Sequence, residues 1–159
     1  MLAQQRINTP LGPLTALRND EGLVGLWFDG QKHHPGTLDA PEVEADPLFM
    51  QIEQCLQGYF KGQVLPRDLP LDPQGTPFQR AVWQALLAIP AGQSRSYGEL
   101  AAQLGKPGSA RAVGAAVGRN PVTILIPCHR VLGANGSLTG YAGGLERKEA
   151  LLRLEGHRP

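Results

Sequence analysis

A proline-rich segment near the middle of this chain separates two parts with different sequence patterns. Residues 64–77 contain four prolines and show no hydrophobic period. Proline fixes its own backbone angle and has no N–H to donate, so this segment is unsuited to a helix or a central strand. We therefore predict a linker between a domain at residues 1–74 and a second domain at residues 75–159. The chain has 159 residues, of which 42% are hydrophobic, enough for two small units with a buried core.

The first part has the pattern of a small antiparallel sheet with one helix. Residues 14–17 and 23–28 are short apolar runs, each followed by turn-forming residues. From about residue 46 to residue 61 the apolar residues recur at helical spacing. These patterns predict an α+β unit in which the helix packs on the sheet.

Two signals predict helices at the start of the second part. Thr76 and Pro77 are residue types preferred just before a helix and at its first position, and Pro90 ends this helix. Ser96 and Glu99 have the spacing of a capping box, in which the serine accepts from the backbone and the glutamate reaches back.

The next two helices have the pattern of a helix-turn-helix. A short turn at residues 105–108 separates the helix that Ser96 opens from one that Ser109 opens. Residues 110–117 are almost all small, which allows a close approach to another helix or to DNA. Such pairs are also common as plain architecture, so DNA binding and a structural role both remain open. We predict an α+β fold whose second domain is helical and resembles a winged helix.

The charge differs between the two parts. Residues 1–74 contain five Lys/Arg and ten Asp/Glu, a net charge of −5, whereas residues 75–159 contain ten and four, a net charge of +6. The basic part is the candidate for contact with a polyanion, although a solvated surface also explains such an imbalance.

The stretch Pro127-Cys128-His129-Arg130-Val131 is the strongest candidate for chemistry. It follows an apolar run at residues 122–126, which predicts a buried strand that the proline ends. The thiolate is the reactive form of cysteine, and nearby cationic side chains favour it. We therefore expect Cys128 to lie at a turn with a lowered pKa. The alternative is an inert core cysteine with two chance neighbours.

Nothing in the sequence predicts a membrane or secreted protein. No stretch approaches the ~20 apolar residues of a membrane span, and the N-terminus lacks the apolar core of a signal peptide. The two cysteines, Cys55 and Cys128, are too few for a disulfide framework, and no CxxC spacing offers a zinc site. We expect a cytoplasmic, monomeric protein with reduced thiols, in which Cys55 is a core residue.

Six motifs of the second part together resemble the O6-alkylguanine-DNA alkyltransferases. They are Thr76-Pro-Phe-Gln, Ser96-Tyr-Gly-Glu-Leu-Ala, Ala110-Arg-Ala-Val-Gly, Asn120-Pro, Ile126-Pro-Cys-His-Arg-Val and Gly140-Tyr-Ala-Gly-Gly-Leu. The resemblance is dense over residues 75–156 and holds only in outline before them. It implies direct reversal of DNA damage without a cofactor: the Cys128 thiolate takes the alkyl group from O6 of guanine in double-stranded DNA and keeps it, so each molecule acts once. Whether O4 of alkylated thymine is also a substrate stays open.

The resemblance also implies roles for individual residues. His129, through a bridging water, and Glu155 would deprotonate Cys128, and Tyr97 would donate to N3 of guanine and help to rotate the 3′ phosphate. Arg111 would enter the duplex as an arginine finger when the base is flipped. The remaining DNA-binding residues would be Ser109, Ala110 and Ala112, and the pocket residues Val117, Asn120, Val131, Tyr141 and Ala142. Of these, Asn120 would fix a turn, Tyr141 would form a wall, and the backbone groups of Cys128, Val131 and Ala142 would contact the guanine edge.

Without the resemblance, plainer interpretations hold for several of these residues. Glu155 is then a surface acid near a helix end, Arg111 a phosphate-binding surface arginine, and Tyr97 a phenol in the core. Two positions depart from the family pattern, since relatives carry asparagine or methionine at Val117 and some carry serine at Ala142. His33 and His34 have no cysteine nearby, so we expect no metal site.

Three other functions compete with alkyl transfer. A non-catalytic binder of alkylated DNA that recruits excision repair lacks the reactive cysteine, which is present here. A cysteine hydrolase or thiol transferase leaves Arg111 and the helix-turn-helix without a role. A plain DNA-binding regulator does not need the Pro-Cys-His-Arg sequence. Arg130 we assign to structure, in a buried ion pair or a contact with a helix end.

Overall fold

The computed structural model describes residues 1–157 and begins with a three-stranded antiparallel sheet. Its strands are β1 (Ala3–Thr9), β2 (Gly12–Arg18) and β3 (Leu23–Phe28), in that order across the sheet. The prediction of an antiparallel sheet from residues 14–17 and 23–28 is confirmed. The sequence pattern does not predict β1, because most of its residues are polar and only Ile7 among them is buried.

The helix of the first half, α1 (Pro47–Phe60), lies where its periodicity predicts. The Asp46 carboxylate accepts hydrogen bonds from two backbone N–H groups of the first turn, at 2.9 and 3.2 Å. Arg18 of β2 forms an ion pair with the same carboxylate at 2.9 Å, so the start of the helix is held against the sheet. Cys55, which we expect in the core, is only partly buried.

The proline-rich segment forms no helix, as predicted, but it is docked rather than free. The Pro70 carbonyl accepts a hydrogen bond from the backbone N–H of Leu23 at 2.9 Å, and the Leu23 carbonyl accepts one from Asp72 at 2.7 Å. The segment therefore lies along β3 and fixes where the second half begins.

The described part of the second half contains four α-helices. They are α2 (Pro77–Leu87), α3 (Tyr97–Gln103), α4 (Ala110–Gly118) and α5 (Leu145–Leu154). The predicted capping box of Ser96 and Glu99 is present, and Thr76 forms another with Gln79. Ser109 immediately precedes α4 as predicted, but within residues 1–157 its side chain makes no capping hydrogen bond. Its backbone (φ −99°, ψ 28°) is not in the extended conformation that a capping residue usually adopts.

Helices α3 and α4 pack on each other, and α4 also packs on α2, which is the predicted helix-turn-helix arrangement. Beside them, β4 (Arg95–Ser96) and β5 (Val131–Leu132) form a short parallel pair. The predicted α+β class is confirmed. No helix within residues 1–157 is long and apolar enough to cross a membrane.

The prediction of a strand at residues 122–126 is wrong. The segment is buried as expected, but only Val122 pairs with a strand, through an isolated bridge to Leu26 of β3. The chain then turns, and Ile124 adopts a left-handed backbone conformation (φ 69°). The Asn120 side chain holds this turn by accepting from Val122 N–H at 3.0 Å and donating to the Ile126 carbonyl at 2.8 Å. A short apolar run satisfies burial equally in a strand and in a buried turn, so its composition does not distinguish them.

Candidate active site

Cys128 lies in a single 3-10 turn, Cys128–Arg130, that follows Pro127 and leads into β5. Its backbone N–H donates to the Ile126 carbonyl at 2.8 Å, so the turn that Asn120 organises also places the cysteine. The residue is 7% exposed, so nearly all of its surface is covered by the surrounding protein.

The Cys128 thiol is held in its protonated form. Burial raises its pKa to about 11, and this outweighs the opposing effects of the Asn120 side chain and the Lys148 charge. The prediction of a lowered pKa is therefore wrong. Its two basic neighbours in sequence do not supply charge to it: burial lowers the pKa of His129, which favours the neutral ring, and the Arg130 guanidinium is paired elsewhere. Reaction at the sulfur needs a base to remove the proton.

Glu155 is the centre of a buried hydrogen-bond network behind Cys128. Its carboxylate contacts His129 Nε2 at 2.7 Å and accepts from Arg130 Nε and Nη2 at 2.8 Å each, and from the Tyr59 hydroxyl at 2.6 Å. Burial acts to raise the pKa of Glu155, but the hydrogen bonds from His129 and Arg130 hold it at about 2. With a side chain only 2% exposed, Glu155 is not the surface acid of the plainer interpretation.

This network determines which nitrogen of His129 carries the proton. A carboxylate accepts hydrogen bonds, so the neutral ring donates from Nε2 and keeps its lone pair on Nδ1. Nδ1 is buried and has no hydrogen-bond partner among residues 1–157. His129 is thus a neutral imidazole with a basic nitrogen that no described group uses.

Arg130 has the structural role that the sequence predicts. Besides its two hydrogen bonds to Glu155, its Nη1 donates to the Ile89 carbonyl just beyond the end of α2, at 2.6 Å. The guanidinium therefore joins α2 to the end of α5 and neutralises the buried carboxylate.

A cavity of about 240 Å³ opens above Cys128. Its lining contains five residues singled out from the sequence, namely Tyr97, Val117, Cys128, Tyr141 and Ala142. The Tyr141 ring forms a wall against Gly143, where an added Cβ would lie 2.6 Å from it, and its hydroxyl contacts Thr123. The Tyr97 hydroxyl accepts a hydrogen bond from Thr139 at 3.4 Å.

Two of the predicted pocket residues, Asn120 and Val131, do not line this cavity. Asn120 instead holds the turn at residues 122–126, which directly precedes Pro127 and Cys128. The Val131 side chain is fully buried, and its carbonyl accepts a hydrogen bond from Lys148 at 2.6 Å. A carbonyl oxygen has two lone pairs, so that of Val131 can still accept a second hydrogen bond.

A larger cavity, of about 840 Å³, borders the Glu155 network. It is lined by residues between the end of α1 and α2 and reaches Arg130 and Glu155, but Cys128 is not part of its lining. Within residues 1–157 its lining contains no cysteine, serine, threonine or lysine, so the smaller cavity with Cys128 is the candidate active site.

Two protein-family models match the chain, one for each half. The model of the 6-O-methylguanine DNA methyltransferase, ribonuclease-like domain, matches residues 4–73, and that of the DNA binding domain of the same methyltransferase matches residues 77–157. The chain belongs to the 6-O-methylguanine DNA methyltransferase family. The family predicted from the motifs is thereby confirmed.

Individual members of this methyltransferase family match this chain over nearly its whole length. The methylated-DNA–protein-cysteine methyltransferase of Mycobacterium bovis is 48% identical, covering 99% of this chain and 94% of its own length. That of Methanosarcina acetivorans is 46% identical, covering 93% and 94%. Among solved structures, Mycobacterium tuberculosis OGT in complex with DNA has a TM-score of 0.91 at 46% identity and covers 97% of this chain and 93% of that one.

The residues that the family motifs assign to DNA lie in the first turn of helix α4 or directly before it. Arg111 and Ala112 are exposed in its first turn, and Ser109 and Ala110 beside them are partly buried. Gly114, Val117 and Gly118, further along the same helix, line the cavity. One helix therefore carries the candidate arginine finger at one end and part of the lining of the Cys128 cavity at the other.

Sequence reasoning missed three parts of this site. Lys148 is fully buried and donates to the carbonyls of Val131 and Thr139 at 2.6 Å each; burial lowers its pKa to about 8. The signal was available, since Lys148 lies on the apolar face of α5, three residues before Leu151. Tyr59, which donates to Glu155, and the loop residues Lys32 and His33, which line the cavity, belong to the acidic N-terminal half. Nothing in the sequence around them indicates a role in the site.

No group of three potential metal ligands of the His, Cys, Asp and Glu types occurs within residues 1–157.

Proposed function

We propose that this chain repairs alkylated DNA by direct reversal, with Cys128 as the acceptor of the alkyl group from O6 of guanine. The direct-reversal chemistry follows from membership of the methyltransferase family, and the assignment of residues is the proposal. One observation carries it: Cys128 lies at the floor of a cavity and directly precedes His129, whose basic nitrogen is free and whose other nitrogen is held by Glu155.

The first step is removal of the thiol proton. Because the resting thiol has a pKa of about 11, few molecules carry a thiolate at neutral pH. His129 Nδ1 takes the proton through a bridging water, and the Glu155 carboxylate stabilises the imidazolium that forms. Glu155 remains ionised throughout, because its pKa is about 2.

The second step is transfer of the alkyl group. The thiolate attacks the alkyl carbon, a sulfur–carbon bond forms, and the bond between this carbon and O6 breaks. The electron pair stays on guanine, where a hydrogen bond from the Tyr97 hydroxyl to N3 stabilises the developing charge. The proton held by His129 then neutralises the guanine. The thioether on Cys128 is stable in water, so each molecule reacts once.

The depth of the cavity requires the guanine to leave the base stack. Cys128 is 7% exposed, so it cannot reach O6 inside a duplex. Flipping a base costs a few kcal/mol of unstacking. Arg111, exposed at the start of α4, occupies the vacated position, and the small neighbours Ala110 and Ala112 let the helix approach the groove.

Every residue of this mechanism comes from one chain, which supports a monomer as the active unit. A thiol that must remain reduced supports a cytoplasmic location. Both statements are part of the proposal.

Intact mass measurement after mixing with a duplex that contains one O6-methylguanine tests the proposal. We expect a gain of one CH₂ that peptide mapping places on Cys128 and that saturates at one per chain. Cys128→Ser should gain no mass yet still bind the duplex. Tight binding without a mass gain in the wild-type protein would favour the recruitment of excision repair, and stoichiometric transfer to the Cys128→Ser variant would exclude Cys128 as the acceptor.

A further inference from the structure

The acidic N-terminal half reaches the mouth of the reactive cavity. Lys32 and His33, in the loop that follows β3, line the same cavity as Cys128 and Tyr97. Neither the charge of this half nor any motif in it indicates such a position. The side chains of both residues are exposed, so they lie at the rim of the cavity rather than at its floor.

The loop is held in place by specific contacts. The backbone N–H of Lys32 donates to the Ala142 carbonyl on the opposite half at 2.9 Å. The buried side chain of Gln31 accepts from Phe28 N–H at 2.9 Å and donates to the Lys32 carbonyl at 3.3 Å. His33 adopts a left-handed backbone conformation (φ 61°), which is unfavourable for a residue with a Cβ and needs such support.

Arg119 brings a further positive charge to the same rim. It directly follows Gly118, which lines the cavity at the end of α4. Partial burial lowers the pKa of His33, and the charges of Arg119 and Lys32 lower it further, so each of these two side chains lies within electrostatic range of His33. Lys32 and Arg119 form no ion pair with any side chain of residues 1–157.

We propose that Lys32, His33 and Arg119 bind the backbone phosphates that flank the flipped nucleotide. A nucleotide whose base reaches Cys128 must leave its sugar and phosphates at the mouth of the cavity, where these three side chains lie. Lys32 and Arg119 supply positive charge there, and the neutral His33 ring supplies an N–H donor. The proposal rests on the proposed function, since it concerns a base that enters this cavity, and it makes the N-terminal half part of the DNA-binding surface.

The salt dependence of duplex binding tests the proposal with the variants Lys32→Ala, Arg119→Ala and the double variant. Each lost phosphate contact should reduce the slope of log affinity against log salt concentration by about 0.9, and the double variant by about twice that. Lys32→Ala keeps the backbone hydrogen bond to Ala142, so the loop stays in place. His33→Gly suits the left-handed conformation and should lower duplex affinity by removing the ring alone.

Lys61→Ala is the matched control, because Lys61 is an exposed lysine of the same half at the end of α1, away from the cavity. Free O6-benzylguanine, which has no phosphates, is the second control. We expect every rim variant to lose a smaller fraction of its rate on this substrate than on the duplex.

Two results would overturn the proposal. The first is a salt slope in the double variant equal to that of Lys61→Ala. The second is an equal loss of rate on the duplex and on free O6-benzylguanine, which would show that the loop shapes the cavity only. Failure of the proposed function is a separate result, since the wild-type protein would then gain no alkyl group from either substrate.

Discussion

The charged groups buried next to Cys128 and those exposed around its cavity differ in burial and in pairing. Behind it, the Glu155 carboxylate is buried and receives hydrogen bonds from three side chains. In front, Arg111, Arg119 and Lys32 are exposed and form no ion pair within residues 1–157. Salt screens buried charges less than exposed ones. In the proposed mechanism the buried set governs the proton of the thiol, and the exposed set governs the encounter with DNA. The proposal therefore assigns reactivity and binding to different residues, and each can be altered alone.

The largest effect on reactivity is expected from His129→Gln. The glutamine amide can still donate to Glu155, but no basic nitrogen remains. Transfer from free O6-benzylguanine should fall by about 10²–10⁴-fold, the usual contribution of a general base. The residual rate should rise about tenfold per pH unit up to the pKa of the thiol, about 11, because only thiolate formed in solution then reacts. Transfer rates measured in quenched reactions between pH 7 and 10 test this pH dependence.

His34→Gln is the control for this variant, since His34 lies beside Trp27 and outside the cavity lining. A wild-type pH profile in His129→Gln would show that another group removes the proton.

The next effect concerns stability and is expected from Glu155→Gln. This change leaves the buried Arg130 charge without its partner, which typically costs about 3–5 kcal/mol. The pKa of Glu155 is about 2 in the folded protein and about 4.3 in an unfolded chain. Because the folded value is the lower one, this carboxylate stabilises the fold fully above about pH 4.3, and the stabilisation, about 3 kcal/mol, is lost as the pH falls towards 2.

Urea unfolding of wild type and Glu155→Gln between pH 2.5 and 6 measures both quantities. Glu149→Gln is the matched control on the same helix, because the Glu149 side chain is 42% exposed and, within residues 1–157, forms an ion pair with Arg153 alone. Parallel pH dependences in wild type and Glu155→Gln would contradict the assignment.

The smallest effect, and one confined to duplex substrates, is expected from Arg111→Ala. Without a side chain to occupy the vacated stack, repair of O6-methylguanine in a duplex should slow by about tenfold, part of the unstacking cost. Reaction with free O6-benzylguanine should not change. Arg80→Ala, which removes an exposed arginine from α2, is the control. Equal losses on both substrates would argue that Arg111 supports the pocket instead of the duplex.

The sequence predicts those elements whose signals are local. The short apolar runs of β2 and β3, the helical period of α1 and the capping box of α3 each depend on neighbouring residues, and all four elements are present. Strand β1 lacks a local signal, because it is held by pairing with β2 rather than by apolar residues of its own. The apolar composition of residues 122–126 predicts a strand, but these residues form a turn because the Asn120 side chain bonds to their backbone.

The sequence predicts which residues form the core of the candidate site, but not the direction of their pKa shifts. The motifs point to Cys128, His129, Tyr97 and Tyr141, which the fold brings together. The sign of the Cys128 pKa shift was not predictable, because two basic neighbours in sequence do not reveal that one is neutral and the other is paired. Tyr59 and Lys32 reach the site only through the packing of the two halves, so no pattern local to them could identify them.

The bridge between Leu26 and Val122 has a consequence for folding. It joins residues far apart in the chain, and the turn that places Cys128 continues directly from it. During synthesis the N-terminal residues leave the ribosome first, so β3 can form before residues 121–123 emerge to pair with it. We therefore expect Cys128 to reach its final position late, after the sheet that supports its turn has formed. A circular permutant that begins at residue 75 would reverse this order and should acquire its reactive cysteine more slowly, even if it reaches the same final structure.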